Sequence, residues 1–265
     1  MLKQRILTAL VLIPLMVIML FGAGETTWLW FSGAIAILAL WEYTRMVDIK
    51  GLSQKIYLGL TALFGLFTVQ VDELAGFWQI VILAFWLLIV PLSLKKRQKI
   101  VSSWKKYALG LMLMLLFWAA LVNLRGFGTS SDAWHLLCVM MLVWIADTGA
   151  YFVGKNFGKR KLAPTVSPGK SVEGALGGMA CVLVYVTFAH GALLDFPSGM
   201  VASWILAAFL TAISIQGDLF ESMLKRLAGV KDSSALLPGH GGVFDRVDSL
   251  IAVLSVYWVV SQWGL

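Results

Sequence analysis

Blocks of about 17 to 20 mostly apolar residues recur from one end of this chain to the other, each long enough at 1.5 Å per residue to cross about 30 Å of hydrocarbon. No other feature constrains the fold as much, because backbone in lipid must satisfy its own hydrogen bonds and a helix does so within one segment. The sequence therefore predicts an all-α, polytopic transmembrane protein of about nine spans. They fall at roughly residues 5–22, 28–46, 56–71, 76–94, 107–124, 133–154, 174–194, 201–219 and 247–263. Composition agrees: 60% of the 265 residues are hydrophobic and 13% charged, against about a quarter charged in a soluble domain. Trp28, Trp30, Trp104, Trp134 and Trp263 lie near block ends, where an amphipathic ring favours the interface. Lys3 and Arg5, an apolar run and Gly22-Ala23-Gly24 look like a signal peptide, but the run is long for one and further spans follow directly. A retained first helix is expected.

The formal charge of +7 does not point to nucleic acid, because the basic residues sit between apolar blocks rather than on a face with interleaved aromatics. With the N-terminus inside, all of the 21 Lys and Arg except Arg125 fall on the inner side, which predicts an N-in/C-out topology. Cys138 and Cys181 have neither disulfide nor zinc-ligand spacing and read as buried small hydrophobes. The nearly pure positive stretch from Lys95 to Lys106 suits an anchor on anionic headgroups. Two inner loops, 154–174 and 220–246, mix charge signs with Gly, Pro and Ser. Both lie in the C-terminal region, 131–265, where function is therefore expected, after the N-terminal transmembrane helices of 1–130.

A carboxylate inside a span costs on the order of 3 kcal/mol on insertion scales, which makes Asp147 and Asp218 functional candidates. A helix continuing past Asp218 places Asp218, Glu221, Ser222 and Lys225 on one face at i, i+3, i+4 and i+7, with Arg226 beside them. The following loop offers Lys231, Asp232, His240 and the glycines Gly239, Gly241 and Gly242. Those glycines could aim successive N–H groups at an anion. Asp245 and Asp248, at i and i+3, open the last span beside Arg246. Asp218, Asp245 and Asp248 supply hard oxygens suited to Mg²⁺.

The run Ser222-Met-Leu-Lys225-Arg226, then Lys231-Asp232, then Pro238-Gly-His240-Gly241-Gly242-Val-Phe-Asp245-Arg246-Val-Asp248 resembles the signature of the phosphatidate cytidylyltransferase (CDP-diacylglycerol synthase) family. Gln216-Gly217-Asp218, Ala146-Asp147-Thr148-Gly149-Ala150-Tyr151 and Ser167-Pro168-Gly169-Lys170-Ser171 are similar to that family too. The resemblance spans about residues 144–248. It implies that CTP and phosphatidate yield CDP-diacylglycerol and pyrophosphate, with Mg²⁺ required and a second cation left open. Asp218, Asp245 and Asp248 would hold metal, with Lys225 and Arg226 also in the catalytic group. Ser222, Lys231, Asp232, His240, Gly241, Gly242, Arg246, Lys170, Ser171 and Asp147 would contact substrate. It further implies a bacterial inner-membrane enzyme whose site faces the cytoplasm. An ion-coupled transporter is the alternative, since acids in spans also mark ion paths. Gly174 and Gly178 form a small-xxx-small face that permits helix pairing, including a homodimer.

Overall fold

The computed structural model describes residues 2–69, 75–96, 103–126, 130–191 and 199–263. The expected loops at 71–75 and 195–199 and the basic stretch around Arg97 and Lys99 lie largely or wholly outside them.

Nearly all of the described chain is helical. The helices are α1 (Leu2–Gly22), α2 (Glu25–Met46), α3 (Gly51–Val69), α4 (Ala75–Ala84), α5 (Val90–Lys96), α6 (Ser103–Arg125), α7 (Ser130–Phe157), α8 (Val172–Ala189), α9 (Met200–Leu227) and α10 (Phe244–Gln262). A π-helical turn, Phe85–Ile89, joins α4 to α5. Each of the nine predicted segments falls on one of these rods, with α4 and α5 sharing one. Among the described residues five stretches are long and apolar enough to cross a membrane: Gly76–Lys96, Trp104–Arg125, Asp132–Phe157, Val172–Ala189 and Met200–Leu227. Leu10–Gly22 is a shorter apolar helix.

The purely α-helical expectation needs one correction. Within the loop after α7, β1 (Lys161–Ala163) pairs antiparallel with β2 (Ser167–Ser171), Lys161 opposite Ser171 and Ala163 opposite Ser167. A hairpin this short leans on its neighbours. Glu173 accepts from the Lys159 and Arg160 amides and from Arg160 Nε, each at 3.0 Å, and so fastens the chain entering β1 to the start of α8. Arg226 Nε reaches Val166 O at 3.4 Å from the end of α9.

The core is built around α10, whose residues from Ser249 to Val260 are all buried. It packs on α9, α6, α7, α4 and α2. Gly217 permits the close approach of α9 to α10, because a Cβ there would sit 2.8 Å from the Ala252 Cβ and 3.0 Å from the Asp248 carbonyl oxygen. The tightest pair of helices is α7 with α8. A Cβ on Gly178 would lie 2.5 Å from Ala146 O, and one on Gly174 would lie 2.7 Å from Ala150 O. The small-residue face expected to permit pairing between copies is thus spent inside the chain, on α7.

Helix ends are closed by backbone geometry. Asp48 takes a positive φ of 57° after α2, with Ile49 N bonding Thr44 O at 2.8 Å. Gly229, at φ 73°, does the same after α9, with Val230 N bonding Lys225 O at 2.9 Å. Both are Schellman endings, which tie up carbonyls the helix leaves unpaired. Arg125, the basic residue expected on the outer side, is buried and donates to Leu20 O at 2.5 Å and Gly126 O at 2.8 Å.

Candidate active site

The frame of the site is α9. Its 28 residues give a rod of about 42 Å, longer than the hydrocarbon of a bilayer, so one end can carry polar groups past the membrane surface. The stripe expected on it is present. Ser222 Oγ donates to Asp218 Oδ1 at 3.2 Å, and Lys225 Nζ lies 2.5 Å from Glu221 Oε2. Asp218 and Lys225 are about 10 Å apart along the axis.

Each end of the stripe receives a partner from another element. At the Asp218 end, β2 delivers Lys170, whose ammonium pairs with Asp218 Oδ2. Asp147 of α7 and Asp248 of α10 both lie within electrostatic reach of Asp218 and Lys170, and Asp147 also feels Arg246. Three carboxylates and two cations therefore share this end. At the other end Lys225 Nζ bridges Glu221 to Asp245, 2.8 Å from Asp245 Oδ1.

The loop between α9 and α10 departs from expectation. Asp245 Oδ2 accepts from Gly242 N at 2.8 Å and from Ser233 N and Oγ at 3.0 Å each. Of the amides expected to line a phosphate cradle, that of Gly242 is given to Asp245 and that of His240 to Leu237 O. Gly241 and Gly242 also permit close approach. At Gly241, with φ 83°, a Cβ would meet Asp245 Oδ2 at 2.6 Å, and at Gly242 it would collide with Ser233 Oγ and the Glu42 carboxylate.

Glu42 is the residue the sequence reading missed. It lies on α2 and is fully buried. Its Oε1 accepts from Ser234 Oγ at 2.6 Å and Val243 N at 2.9 Å, and its Oε2 from Phe244 N at 2.7 Å and Ser233 Oγ at 2.9 Å. Val243 is the N-cap of α10, and its own side chain makes no cap bond. A carboxylate from α2 thus takes two of the amides that a helix N-terminus leaves open, where the helix dipole also favours a negative charge. Ser233 Oγ stands within bonding distance of both Glu42 and Asp245, so its single proton serves one carboxylate at a time. The signal was available: an acid within the predicted 28–46 span is as costly as Asp147 or Asp218.

The remaining expected contacts sort plainly. Ser171 is the N-cap of α8, its buried Oγ accepting from Gly174 N at 3.1 Å. Arg226 is exposed and spans Val166 O and Val230 O. Lys231, Asp232 and Arg246 are exposed to solvent. His240 is half-buried, with Nδ1 lacking a hydrogen-bond partner. Among the described residues no three His, Cys, Asp or Glu side chains form a group that could hold a metal ion. The expected three-ligand set is not assembled, because Asp245 is turned to Lys225 and its own loop while Asp218 faces Lys170.

Compared with known proteins, the chain matches the cytidylyltransferase family over residues 3–263. It belongs to that family. The phosphatidate cytidylyltransferase of Pseudomonas aeruginosa is 41% identical over 272 residues, covering 100% of this chain and 99% of the relative. That of Haemophilus influenzae is 39% identical, covering 97% of each, and that of Staphylococcus haemolyticus is 33% identical, covering 95% and 96%. The match takes in the N-terminal helices, α2 and Glu42 among them, as well as the polar region from 144 to 248. Nothing in these cytidylyltransferase relatives favours the transporter alternative.

Proposed function

We propose that this member of the cytidylyltransferase family makes CDP-diacylglycerol from CTP and phosphatidate. The carrying observation is the pair of ammonium groups, Lys170 and Lys225, set on carboxylates at two levels of one helix, in a chain related over its whole length to phosphatidate cytidylyltransferases. In this reaction a phosphate oxygen of phosphatidate forms a bond to the α-phosphorus of CTP. The bond from that phosphorus to the β-bridging oxygen breaks, and pyrophosphate leaves with the electron pair. Two anions must approach each other, so the protein's task is alignment and neutralisation, with no covalent protein intermediate.

Lys170 and Lys225 are held by Asp218, Glu221 and Asp245 and are ready to turn toward phosphate oxygens as point charges. Arg246, exposed near Asp147, adds a planar fork at the same face. Lys231, Asp232, His240 and Arg226 border the approach from water. Two cavities supply separate routes. One of about 530 Å³ with a mixed lining that includes the cations Arg45 and Lys50, together with Trp41, Gln54, Val230 and Ser233, lies beside the loop and suits the nucleotide. A largely apolar one of about 400 Å³, lined by Trp144, Thr148, Phe152 and Cys181 among others, lies next to Asp147 in sequence and suits the lipid.

Mg²⁺ fits the donor chemistry at one end of the site. Hard carboxylate oxygens of Asp218 and Asp248, with Asp147 near, repel one another, and Mg²⁺ is commonly held by one or two carboxylates plus substrate phosphates. When bound it would neutralise phosphate charge and polarise the reacting phosphorus. Asp245 would join only if Lys225 moved off it. We place nine spans in the membrane, N-terminus in and C-terminus out, with the site on the cytoplasmic side of a bacterial inner membrane. The charge asymmetry of the loops supports that topology.

The test is direct. Purified protein in mixed micelles, given labelled CTP, phosphatidate and Mg²⁺, is expected to release pyrophosphate and form labelled CDP-diacylglycerol in equal amounts. Folded protein giving no labelled liponucleotide would overturn the assignment.

A further inference from the structure

Glu42 stands apart from every residue discussed for the chemistry, on a helix outside the motifs of residues 144–248, yet its carboxylate touches both the loop at Ser233 and Ser234 and the start of α10, next to Asp245. Both oxygens are used. Oε1 joins Ser234 to Val243, and Oε2 joins Ser233 to Phe244, so one side chain ties the middle of the loop to the start of α10. Ser233 in turn gives its amide to Asp245, and Asp245 holds Lys225. A continuous chain of hydrogen bonds therefore runs from α2 to the ammonium on α9. Gly242 makes the arrangement possible, since only hydrogen on its Cα leaves room for the Glu42 carboxylate. The cytosolic end of α2 is itself fixed: Asp48 closes the helix, Ile49 is buried, and Tyr43 donates to Lys106 O at 2.8 Å.

We infer that Glu42 is a positioning residue for nucleotidyl transfer, acting through Ser233 and the N-terminus of α10 to set where Asp245 and Asp248 stand. The role rests on the cytidylyltransferase reading above, and it makes the N-terminal helices part of the catalytic apparatus rather than an anchor for it. The physical basis is an anion with fixed acceptors. A buried carboxylate facing two backbone N–H groups cannot turn away without orphaning them, and orphaned buried donors are costly. Glu42→Gln keeps the shape but aims an amide NH₂ at one of those N–H groups. The α10 start must then shift, and Asp245 shifts with it.

The experiment compares wild type, Glu42→Gln and Ser234→Ala, each taken from the monodisperse peak in detergent, for kcat and for KM toward CTP and phosphatidate. Limited trypsin digestion at the exposed Lys231 reports the loop. Wild type must first make CDP-diacylglycerol; if it does not, the family activity fails and not this inference. With wild type active, Glu42→Gln is expected to lose at least about thirtyfold in kcat, with KM for phosphatidate within about twofold and cleavage at Lys231 accelerated. Ser234→Ala, which removes one of four donors, is expected to lose about fivefold in kcat. A purely structural role would instead lower the folded fraction and leave kcat per folded molecule intact. Wild-type kcat in folded Glu42→Gln overturns the proposal. Should that variant not fold, wild-type kcat in Ser234→Ala overturns it equally.

Discussion

Asp218 and Asp245 are each joined to an ammonium, and the two pairs differ in what else they touch. Asp218 has Ser222 and Lys170, whereas Asp245 also holds the Ser233 and Gly242 amides. Asp218→Asn is therefore expected to remove charge and little else, cutting kcat by about 10² to 10³-fold, the usual scale for losing one preorganised electrostatic group, with an unchanged melting temperature. Asp245→Asn is expected to cost as much turnover and to lower the melting temperature as well, because its NH₂ would face loop N–H groups. A thermal-shift measurement on the two variants separates them. Gly242→Ala places a methyl on Ser233 and Glu42. It should cost about 1 to 3 kcal/mol in chemical denaturation, the range for overfilling a packed site.

At the scale of elements, α7 and α8 touch through glycine. Gly178→Val is expected to force them apart, since the obstacle is the Ala146 carbonyl and not a movable side chain. A melting temperature lower by about 5 to 10 °C in a thermal scan is the expected outcome, with less activity because α7 carries Asp147 and α8 follows Lys170. The rods themselves were legible in the sequence, because an unbroken apolar run needs no partner to be recognised. The α9 stripe was legible as well, since 218, 221, 222 and 225 share a face whatever surrounds them. The β-hairpin was hidden because Pro168 and Gly169 read as loop and its support comes from Glu173 and Arg226. The use of Gly241 and Gly242 was hidden for a related reason. A glycine states that something approaches closely, but not whether it is phosphate or carboxylate. Glu42 shows the limit most clearly, because its partners lie 191 to 202 residues away in the chain.

For the molecule as a whole, charge is arranged so that water-borne and lipid-borne anions meet where cations are already gathered. Carboxylates outnumber free cations at the Asp218 end, so turnover is expected to need a divalent ion. Adding EDTA should stop CDP-diacylglycerol formation, and restoring Mg²⁺ in excess should return it. Full activity in chelator would show that Lys170, Lys225 and Arg246 suffice. The contact between α2 and α10 also bears on how the protein is made. A ribosome makes α2 long before residues 233 to 244 exist, so during synthesis the Glu42 carboxylate lacks the four donors it has in the finished fold. Its partners arrive only with the final helix, which makes docking of α10 the event that completes the molecule. An unfinished or interrupted chain would leave that acid without its backbone and serine partners.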